Sequence, residues 1–209
     1  MESATQLDAK DPLAGFRDRF VHNSSEPELI YLDGNSLGRQ PRSVADVLTR
    51  IVDHQWSERL IRGWNEGWLD IAAGVGDLIG ELLGANPGEV ILAENTSVCL
   101  YKVAVAALRE QPSRQKVVTD DENFPSDIQI LRSACRSAGS GQTVQIVHCS
   151  EARDPTGVLV DAIDESTAVV SLSHVAYRSG WRWDLVAVNR AAQDVGALVV
   201  WDFSHSVGV

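Results

Sequence analysis

An acid and an imidazole stand close together near the end of this chain, at a spacing that suits a ligand site. Asp202 and His205 follow a continuous apolar run at 197–201, which is typical of a strand buried on both faces. A buried carboxylate is costly unless it meets a cation. Since ligands of open α/β sheets bind at the carboxyl ends of the strands, the pair predicts a bound group that presents a cation to Asp202.

Two neighbouring hydroxyls, Thr96 and Ser97, follow an apolar run at 90–92 that we interpret as another strand. They stand where a helix begins, and backbone N–H groups with hydroxyls at a helix start suit a phosphate. The alternative is that one of them simply caps the helix. Ser173, at the end of the run at 168–172, adds a hydroxyl to the same predicted edge or satisfies nearby backbone groups.

An aromatic residue and a second acid follow the apolar run at 116–119, within Phe124, Pro125, Ser126 and Asp127. Proline suits the first turn of a helix, so a loop-to-helix junction explains part of this segment. An aromatic side chain at the end of a buried strand can also cover a flat ligand ring. Asp127 would then accept a hydrogen bond from a substituent of that ring.

These groups together predict one ligand that is flat, phosphorylated and positively charged on its ring. Pyridoxal 5′-phosphate meets that description. Its phosphate would take the helix start at Thr96, its ring would lie on Phe124, and its pyridinium nitrogen would meet Asp202. Such an ion pair keeps the ring nitrogen protonated, so that the ring can accept carbanion electrons.

Two other kinds of site are disfavoured. No histidine has the spacing of a zinc motif, and Asp202 with His205 lacks a visible third ligand, so no metal site is expected. Gly74, Gly76 and Gly80 depart from the spacing of a dinucleotide loop and fall within a helical pattern. They predict helix packing instead.

The surrounding pattern predicts an α/β fold with a mainly parallel sheet and helices on both faces. From residue 88 onward short apolar runs alternate with helical periodicity, as βαβ units require. A helical segment precedes them, with helical spacing near 13–20, 44–52 and 71–83. We divide the chain into an amino-terminal arm at 1–45 and the first part of a larger domain at 46–209.

Composition limits the partners and the compartment. The 209 residues carry a net charge of −11, which disfavours nucleic acid and acidic membranes as partners. Three cysteines without CxxC spacing predict a reducing compartment. No signal-like start and no membrane-length apolar stretch is seen, so a cytoplasmic location is expected.

Three segments in order resemble the kynureninase family, and the resemblance runs from residue 29 to 209. They are Tyr31-Leu32-Asp33-Gly34-Asn35-Ser36-Leu37-Gly38, then Asn123-Phe124-Pro125-Ser126-Asp127, then Trp201-Asp202-Phe203-Ser204-His205-Ser206-Val207-Gly208. The first two are fairly specific, whereas the strand that ends in Asp-x-x-His is shared more widely among aminotransferase-like proteins. The expected fold is therefore the large domain of an aminotransferase-like enzyme, in part.

The resemblance implies an activity and a set of contacts. Kynureninases are pyridoxal-phosphate hydrolases, usually homodimers, that split L-kynurenine or its 3-hydroxy form into anthranilate or 3-hydroxyanthranilate and L-alanine, in tryptophan degradation and NAD biosynthesis. By this resemblance the catalytic acid is Asp202. The implied cofactor contacts are Thr96, Ser97, Phe124, Pro125, Ser126, Asp127, Ser173, Asp202 and His205, and the implied substrate contacts are Asn35, Ser36 and Trp64.

One feature of the family has no match. Family enzymes attach the cofactor to a lysine that follows the strand bearing the ring-nitrogen acid and is preceded by tyrosine. The three lysines here, Lys10, Lys102 and Lys116, all precede that strand and lack this context. We therefore expect the amino-terminal half of a kynureninase. The alternatives are another aminotransferase-like enzyme, such as a cysteine desulfurase-like protein, and a non-catalytic fragment.

Overall fold

The computed structural model of this protein describes residues 3–208. They belong to two compact units, an amino-terminal unit, Met1–Ile71, and a sheet unit, Ala72–Val209. The predicted boundary after residue 45 stays a prediction. Within the described range, no helix combines the length and the apolar character that a membrane crossing needs.

The amino-terminal unit is built from short helical pieces. Its α-helices are α1 (Ala4–Asp8) and α2 (Ser43–Arg50), and α2 continues as the π-helix Ile51–Arg59. The predicted helix at 13–20 is a 3₁₀ helix, Ala14–Arg19, because Phe20 is already extended and bridges Pro41. Two further 3₁₀ turns complete the unit, Leu60–Trp64 and Trp68–Asp70.

The sheet unit alternates helices and strands, as the sequence predicts. After α3 (Ile71–Leu83) and α4 (Thr96–Glu110) come β1 (Lys116–Asp120), α5 (Pro125–Ala138), β2 (Thr143–Val147), α6 (Pro155–Asp161), β3 (Thr167–Ser173), α7 (Leu185–Asp194) and β4 (Leu198–Asp202). All neighbouring strands are parallel, in the order β2-β1-β3-β4. The register places Ser173 beside Asp202, so two predicted site residues end neighbouring strands at the same level.

Helices cover both faces of the sheet, which confirms the predicted fold class. Helices α4 and α5 pack on one side, here called the α4/α5 face, and α6 and α7 pack on the other, the α6/α7 face. Side chains along β1 alternate between them: Val117 faces α4 and α5, and Val118 faces α6 and α7. Residues two positions later, Thr119 and Asp120, therefore belong to opposite faces at the carboxyl edge.

Two predicted strand features are wrong. The run at 90–92 forms no strand, because it packs along α3 and its Leu92 N–H donates to the carbonyl of Ala72 at 3.1 Å. Gly76 permits this approach, since a Cβ there would come within 2.1 Å of the Val90 carbonyl oxygen. The predicted burial of the last strand on both faces also fails: β4 is an edge strand of the described sheet, and its Leu198 is 38% exposed.

Candidate functional site

Asp202 lies half-buried at the carboxyl end of β4, and neutral donors surround its carboxylate. Its Oδ2 accepts the Ser173 hydroxyl at 3.0 Å. Its Oδ1 accepts the Ser204 N–H at 2.8 Å and the Ser204 hydroxyl at 2.5 Å. The ion pairs found within residues 3–208 do not include Asp202. The carboxylate is thus held in place while its charge is left for a cationic ligand.

A buried amide that the sequence analysis did not assign connects Asp202 to the strand β1. Asn123 Nδ2 donates to Thr119 Oγ1 at 2.8 Å and to the Ser171 carbonyl at 3.2 Å. Its Oδ1 accepts the Phe124 N–H at 2.8 Å and lies 3.1 Å from the Ser173 hydroxyl. The amide therefore fixes both the start of the Phe124 segment and the hydroxyl beside Asp202.

Phe124 and Asp127 stand at the start of α5 on this edge. Pro125 takes the first helical position, as expected, and leaves Phe124, which is 42% exposed, at the cap. The edge of the Tyr177 ring contacts it, with centroids 5.1 Å apart. Phe124 is thus an accessible aromatic residue three positions before Asp127.

Asp127 is a second acid of the same site. It is 3% exposed, and its Oδ1 accepts the Ser126 hydroxyl at 3.1 Å. Burial raises the pKa of Asp127 above its ordinary value, and the negative charge of Asp202 raises it further. The two carboxylates therefore repel one another, and a bound cation near both would reduce this repulsion.

The amino terminus of α4 carries the two predicted phosphate ligands. Asn95 caps this helix, with its Oδ1 accepting the Val98 N–H at 2.9 Å, so the alternative that Thr96 or Ser97 is the cap is wrong. Within the described residues the hydroxyls of Thr96 and Ser97 have no hydrogen-bond partner. A 15-residue helix that starts with free hydroxyls and free N–H groups suits an anion.

His205 lies in the turn after β4 and brings an unpaired polar atom. Its ring is half-buried, and Nδ1 is buried without a hydrogen-bond partner among residues 3–208. A second histidine, His174, follows β3, and one of its ring nitrogens lies 2.8 Å from the Ser206 hydroxyl. His174 also contacts the ring of Phe203 at 5.6 Å, so it ties this turn to the end of β3.

The three predicted substrate residues lie in the amino-terminal unit. Asn35 and Ser36 form an exposed turn, in which the Ser36 N–H lies 3.4 Å from the Asp33 carboxylate. Trp64 ends a 3₁₀ helix and is exposed. Their contact with substrate stays a prediction.

The sheet-unit lysines lie elsewhere. Lys102 pairs with Glu94 at 2.7 Å on α4. Lys116 starts β1, at the edge opposite the candidate site, and pairs with Asp164 at 2.8 Å. Neither amine belongs to the group around Asp202. The residues present nevertheless fit the noncovalent contacts of pyridoxal phosphate in their chemistry. They include two acids, an imidazole nitrogen without a partner among residues 3–208, an exposed aromatic residue and the start of a long helix.

Comparisons with known proteins show what the whole chain is similar to. The chain is 37% identical over 212 residues to a kynureninase of Burkholderia pseudomallei (strain 1106a), covering 99% of this chain and 49% of that protein. It is 39% identical over 208 residues to a kynureninase of Pseudomonas fluorescens, covering 97% of this chain and 48% of that protein. The resemblance to kynureninase is confirmed, and the chain spans about half the length of these curated relatives.

Solved structures support the fold at lower identity. A C-DES mutant with glycine covalently linked to its PLP cofactor matches with a TM-score of 0.68 at 15% identity, covering 92% of this chain and 50% of that one. The cysteine desulfurase CsdA from Escherichia coli matches with a TM-score of 0.66 at 16% identity, covering 99% and 50%. The aminotransferase class-V profile matches residues 30–209, so this chain belongs to the aminotransferase class-V family.

Proposed function

We propose that this chain supplies the pyridoxal-phosphate cradle of a kynureninase. The reaction is hydrolysis of L-kynurenine, or its 3-hydroxy form, to anthranilate, or 3-hydroxyanthranilate, and L-alanine, within tryptophan degradation and NAD biosynthesis. The observation that carries the proposal is Asp202, a carboxylate that Ser173 and Ser204 hold in place and that forms no ion pair among residues 3–208. The identity of 37% and 39% to two kynureninases supports this reaction over others of the family.

Each contact has a defined task in this proposal. Bound pyridoxal phosphate would supply an electron sink for carbanion chemistry at the substrate. Asp202 would hold a proton on the ring nitrogen, and Ser173 and Ser204 would keep its carboxylate in place. Phe124 would cover one face of the ring and exclude water from it.

The remaining contacts anchor the two ends of the cofactor. Thr96 and Ser97 would bind the phosphate at the start of α4, where the helix dipole favours negative charge. Asp127, oriented by Ser126, would accept a hydrogen bond from a ring substituent. His205 Nδ1, which has no hydrogen-bond partner among residues 3–208 and lies three residues after Asp202, would complete the hydrogen bonds at that end.

Pyridoxamine 5′-phosphate tests the cradle directly, since it carries an amine and cannot bond covalently to a lysine. We expect saturable binding to the 209-residue chain by calorimetry, and a loss of at least about tenfold in Asp202→Asn from removal of one charge-assisted contact. Asp194→Asn is the matched control, because Asp194 is an exposed acid at the end of α7. Equal affinity in both variants would exclude Asp202 as the ring-nitrogen partner.

The proposed reaction needs its own measurement. In a protein of the relatives' full length that carries this chain, kynurenine should yield fluorescent anthranilate, whereas a cysteine desulfurase-like enzyme would release sulfur from cysteine. Sulfur release without anthranilate would replace the proposal with that alternative. If the 209-residue chain fails to bind pyridoxamine 5′-phosphate, the non-catalytic alternative holds for it. The proposal also includes a homodimer, which the kynureninase resemblance implies, and a cytoplasmic location, which the three cysteines without CxxC spacing favour.

A further inference from the structure

A cleft lies at the carboxyl edge of the sheet, on the face opposite to that of Asp202. Its volume is about 470 Å³, and the ends of β1 and β2 and the segment after β3 form its walls. Asp120 points to the α6/α7 face, one residue after Thr119, whose hydroxyl belongs to the network on the α4/α5 face. The cleft is therefore separate from the cofactor cradle. Its polar and aromatic lining includes Asp120, Cys149, Ser150, Trp181, Arg182 and Trp183.

Asp120 is one of the residues that line this cleft, and its carboxylate is incompletely hydrogen-bonded within the described chain. The residue is 2% exposed, and its Oδ1 accepts the Glu122 N–H at 2.7 Å. Its Oδ2 is buried without a partner in the described chain. Burial raises the pKa of Asp120 to about 6, so the group is largely ionised at neutral pH. An ionised oxygen in that position lacks the donor that buried carboxylates normally have.

Trp183, which also lines the cleft, has an indole N–H that lacks an acceptor in the described chain. The ring is 3% exposed, and its Nε1–H has no acceptor among residues 3–208. Trp181 meets it edge to face, with centroids 6.4 Å apart. Arg182 lies between them in sequence and is exposed at the cleft. Within the described range its side chain forms no hydrogen bond and no ion pair. The residues that line this cleft thus include three groups without a partner in the described range: a carboxylate oxygen, an indole N–H and a guanidinium.

The neighbouring acids do not share this deficiency. Asp121 accepts the Ser150 hydroxyl at 2.9 Å and the Cys149 N–H at 3.3 Å. Glu122 accepts the hydroxyl of Ser179. The thiol of Cys149 is no nucleophile, since burial raises its pKa to about 12. Asp120 is therefore the acid that a ligand of this cleft would meet.

We propose that the cleft binds a free α-amino acid in its zwitterionic form. The ammonium group would donate to Asp120 Oδ2, and the carboxylate would accept from Trp183 Nε1 and pair with Arg182. An amine alone leaves the indole N–H unpaired, and a carboxylate alone is repelled by the acids. Trp181 offers an aromatic wall to the side chain, and 470 Å³ is within the range of small-ligand pockets.

L-Phenylalanine is the probe, with 3-phenylpropanoate and 2-phenylethylamine as analogues that lack the ammonium and the carboxylate respectively. Calorimetry on the 209-residue chain should show saturable binding of L-phenylalanine and at least about tenfold weaker binding of each analogue, from loss of one charged contact. The NMR signal of the Trp183 indole N–H, identified by its absence in Trp183→Phe, should shift on binding.

Matched variants decide the outcome. Asp120→Asn keeps the side-chain shape and removes the charge, and Arg182→Gln changes an exposed residue whose loss spares the core. Both should weaken L-phenylalanine binding at least about tenfold, whereas Arg178→Gln, exposed on the same segment but outside the cleft, should not. Absence of saturable binding would show that the cleft holds only water, and would overturn the proposal. Equal binding of all three compounds, or an unaffected Arg182→Gln, would show that the ammonium and the carboxylate are not recognised as proposed, and would overturn it as well. Pyridoxamine phosphate binding is independent of each result.

Discussion

Asp120 and Asp202 both end a parallel strand at the same edge of one sheet, yet their surroundings differ sharply. Asp202 is half-buried at the end of the edge strand β4, and Ser173 and Ser204 satisfy its oxygens. Asp120 ends β1 inside the sheet, is 2% exposed, and has one oxygen to which no group of the described chain donates. Within the described sheet, the acid on the outer strand is thus half-buried and hydrogen-bonded, whereas the acid on the inner strand is buried with one oxygen unpaired.

The faces of the sheet add a second difference. Asp202, Ser173 and Asn123 form a polar network on the α4/α5 face, in which each buried group has a partner. Asp120 and Trp183 on the α6/α7 face sit at the rim of an apolar core cluster. A network in which every group is hydrogen-bonded holds a carboxylate at little cost in folding free energy. A buried carboxylate without enough donors instead makes the folding free energy depend on its ionisation. The following changes break this comparison, from the largest effect to the smallest.

Removing the Asp202 carboxylate should have the largest effect. In a protein of the relatives' full length that carries this chain, Asp202→Ala should abolish anthranilate formation from kynurenine, since no other acid of the edge takes the position at the end of β4. Steady-state fluorescence of anthranilate measures this. Asp194→Ala is the control and should retain turnover. Near-normal turnover in Asp202→Ala would contradict its role at the ring nitrogen.

Neutralising Asp120 should act on stability, with a sign set by pH. Burial raises its folded-state pKa from 3.8 to about 6, so its protonated form stabilises the fold fully below pH 3.8. That contribution is lost as the pH rises through about 6. Asp120→Asn stays neutral, so it should be more stable than the parent at pH 8 by up to about 3 kcal/mol and similar at pH 4. Urea unfolding at both pH values measures the difference.

The outcome that contradicts this account is equally specific. If Asp120→Asn loses stability by the same amount at pH 4 and pH 8, the hydrogen bond to the Glu122 N–H outweighs the burial of charge. Asp120 and Asp202 would then differ in burial and hydrogen bonding, but the charge of Asp120 would not lower the stability of the fold.

The sequence predicts the features that neighbouring residues determine, and it does not predict those that depend on contacts between distant parts of the chain. The apolar runs that become β1, β3 and β4 are local patterns, and they correctly place Asp202 at a carboxyl end. Asn95 as the cap of α4 was also within reach, since asparagine is a favoured cap residue, but two hydroxyls beside it competed. Residue preferences of this kind reduce the number of candidate cap residues but do not identify the cap.

Features that need strand order and register were out of reach. Asn123 contacts the Ser171 carbonyl across 48 residues, and only the pairing of β1 with β3 makes that contact possible. The exposure of β4 follows from its place at the edge of the described sheet, which an apolar sequence run does not reveal. The run at 90–92 reads as a strand by composition, but its backbone bonds to α3 instead.

Breaking the satisfied network tests the other half of the comparison. Asn123→Ala removes both donors and the acceptor, and leaves Thr119, the Ser171 carbonyl and the Phe124 N–H without this partner. We expect about 1–3 kcal/mol lower stability in urea unfolding, with weaker pyridoxamine phosphate binding. The control is Asn189→Ala, which loses one half-buried contact to the Trp201 indole. A loss no larger than in that control would show that the network does not brace the site.

The smallest effect should come from the rim, where Tyr177 supports Phe124. The two rings meet edge to face at 5.1 Å, and both are more than a third exposed. Such a pair contributes about 0.5–1.5 kcal/mol, so Tyr177→Ala should weaken pyridoxamine phosphate binding by about two- to tenfold. Tyr177→Phe keeps the ring and should bind like the parent. If both variants lose affinity equally, the tyrosine hydroxyl rather than the ring acts on the cofactor. If neither does, Phe124 is positioned by its backbone bond to Asn123 alone, and the polar network, not the aromatic rim, orients the whole α4/α5 side.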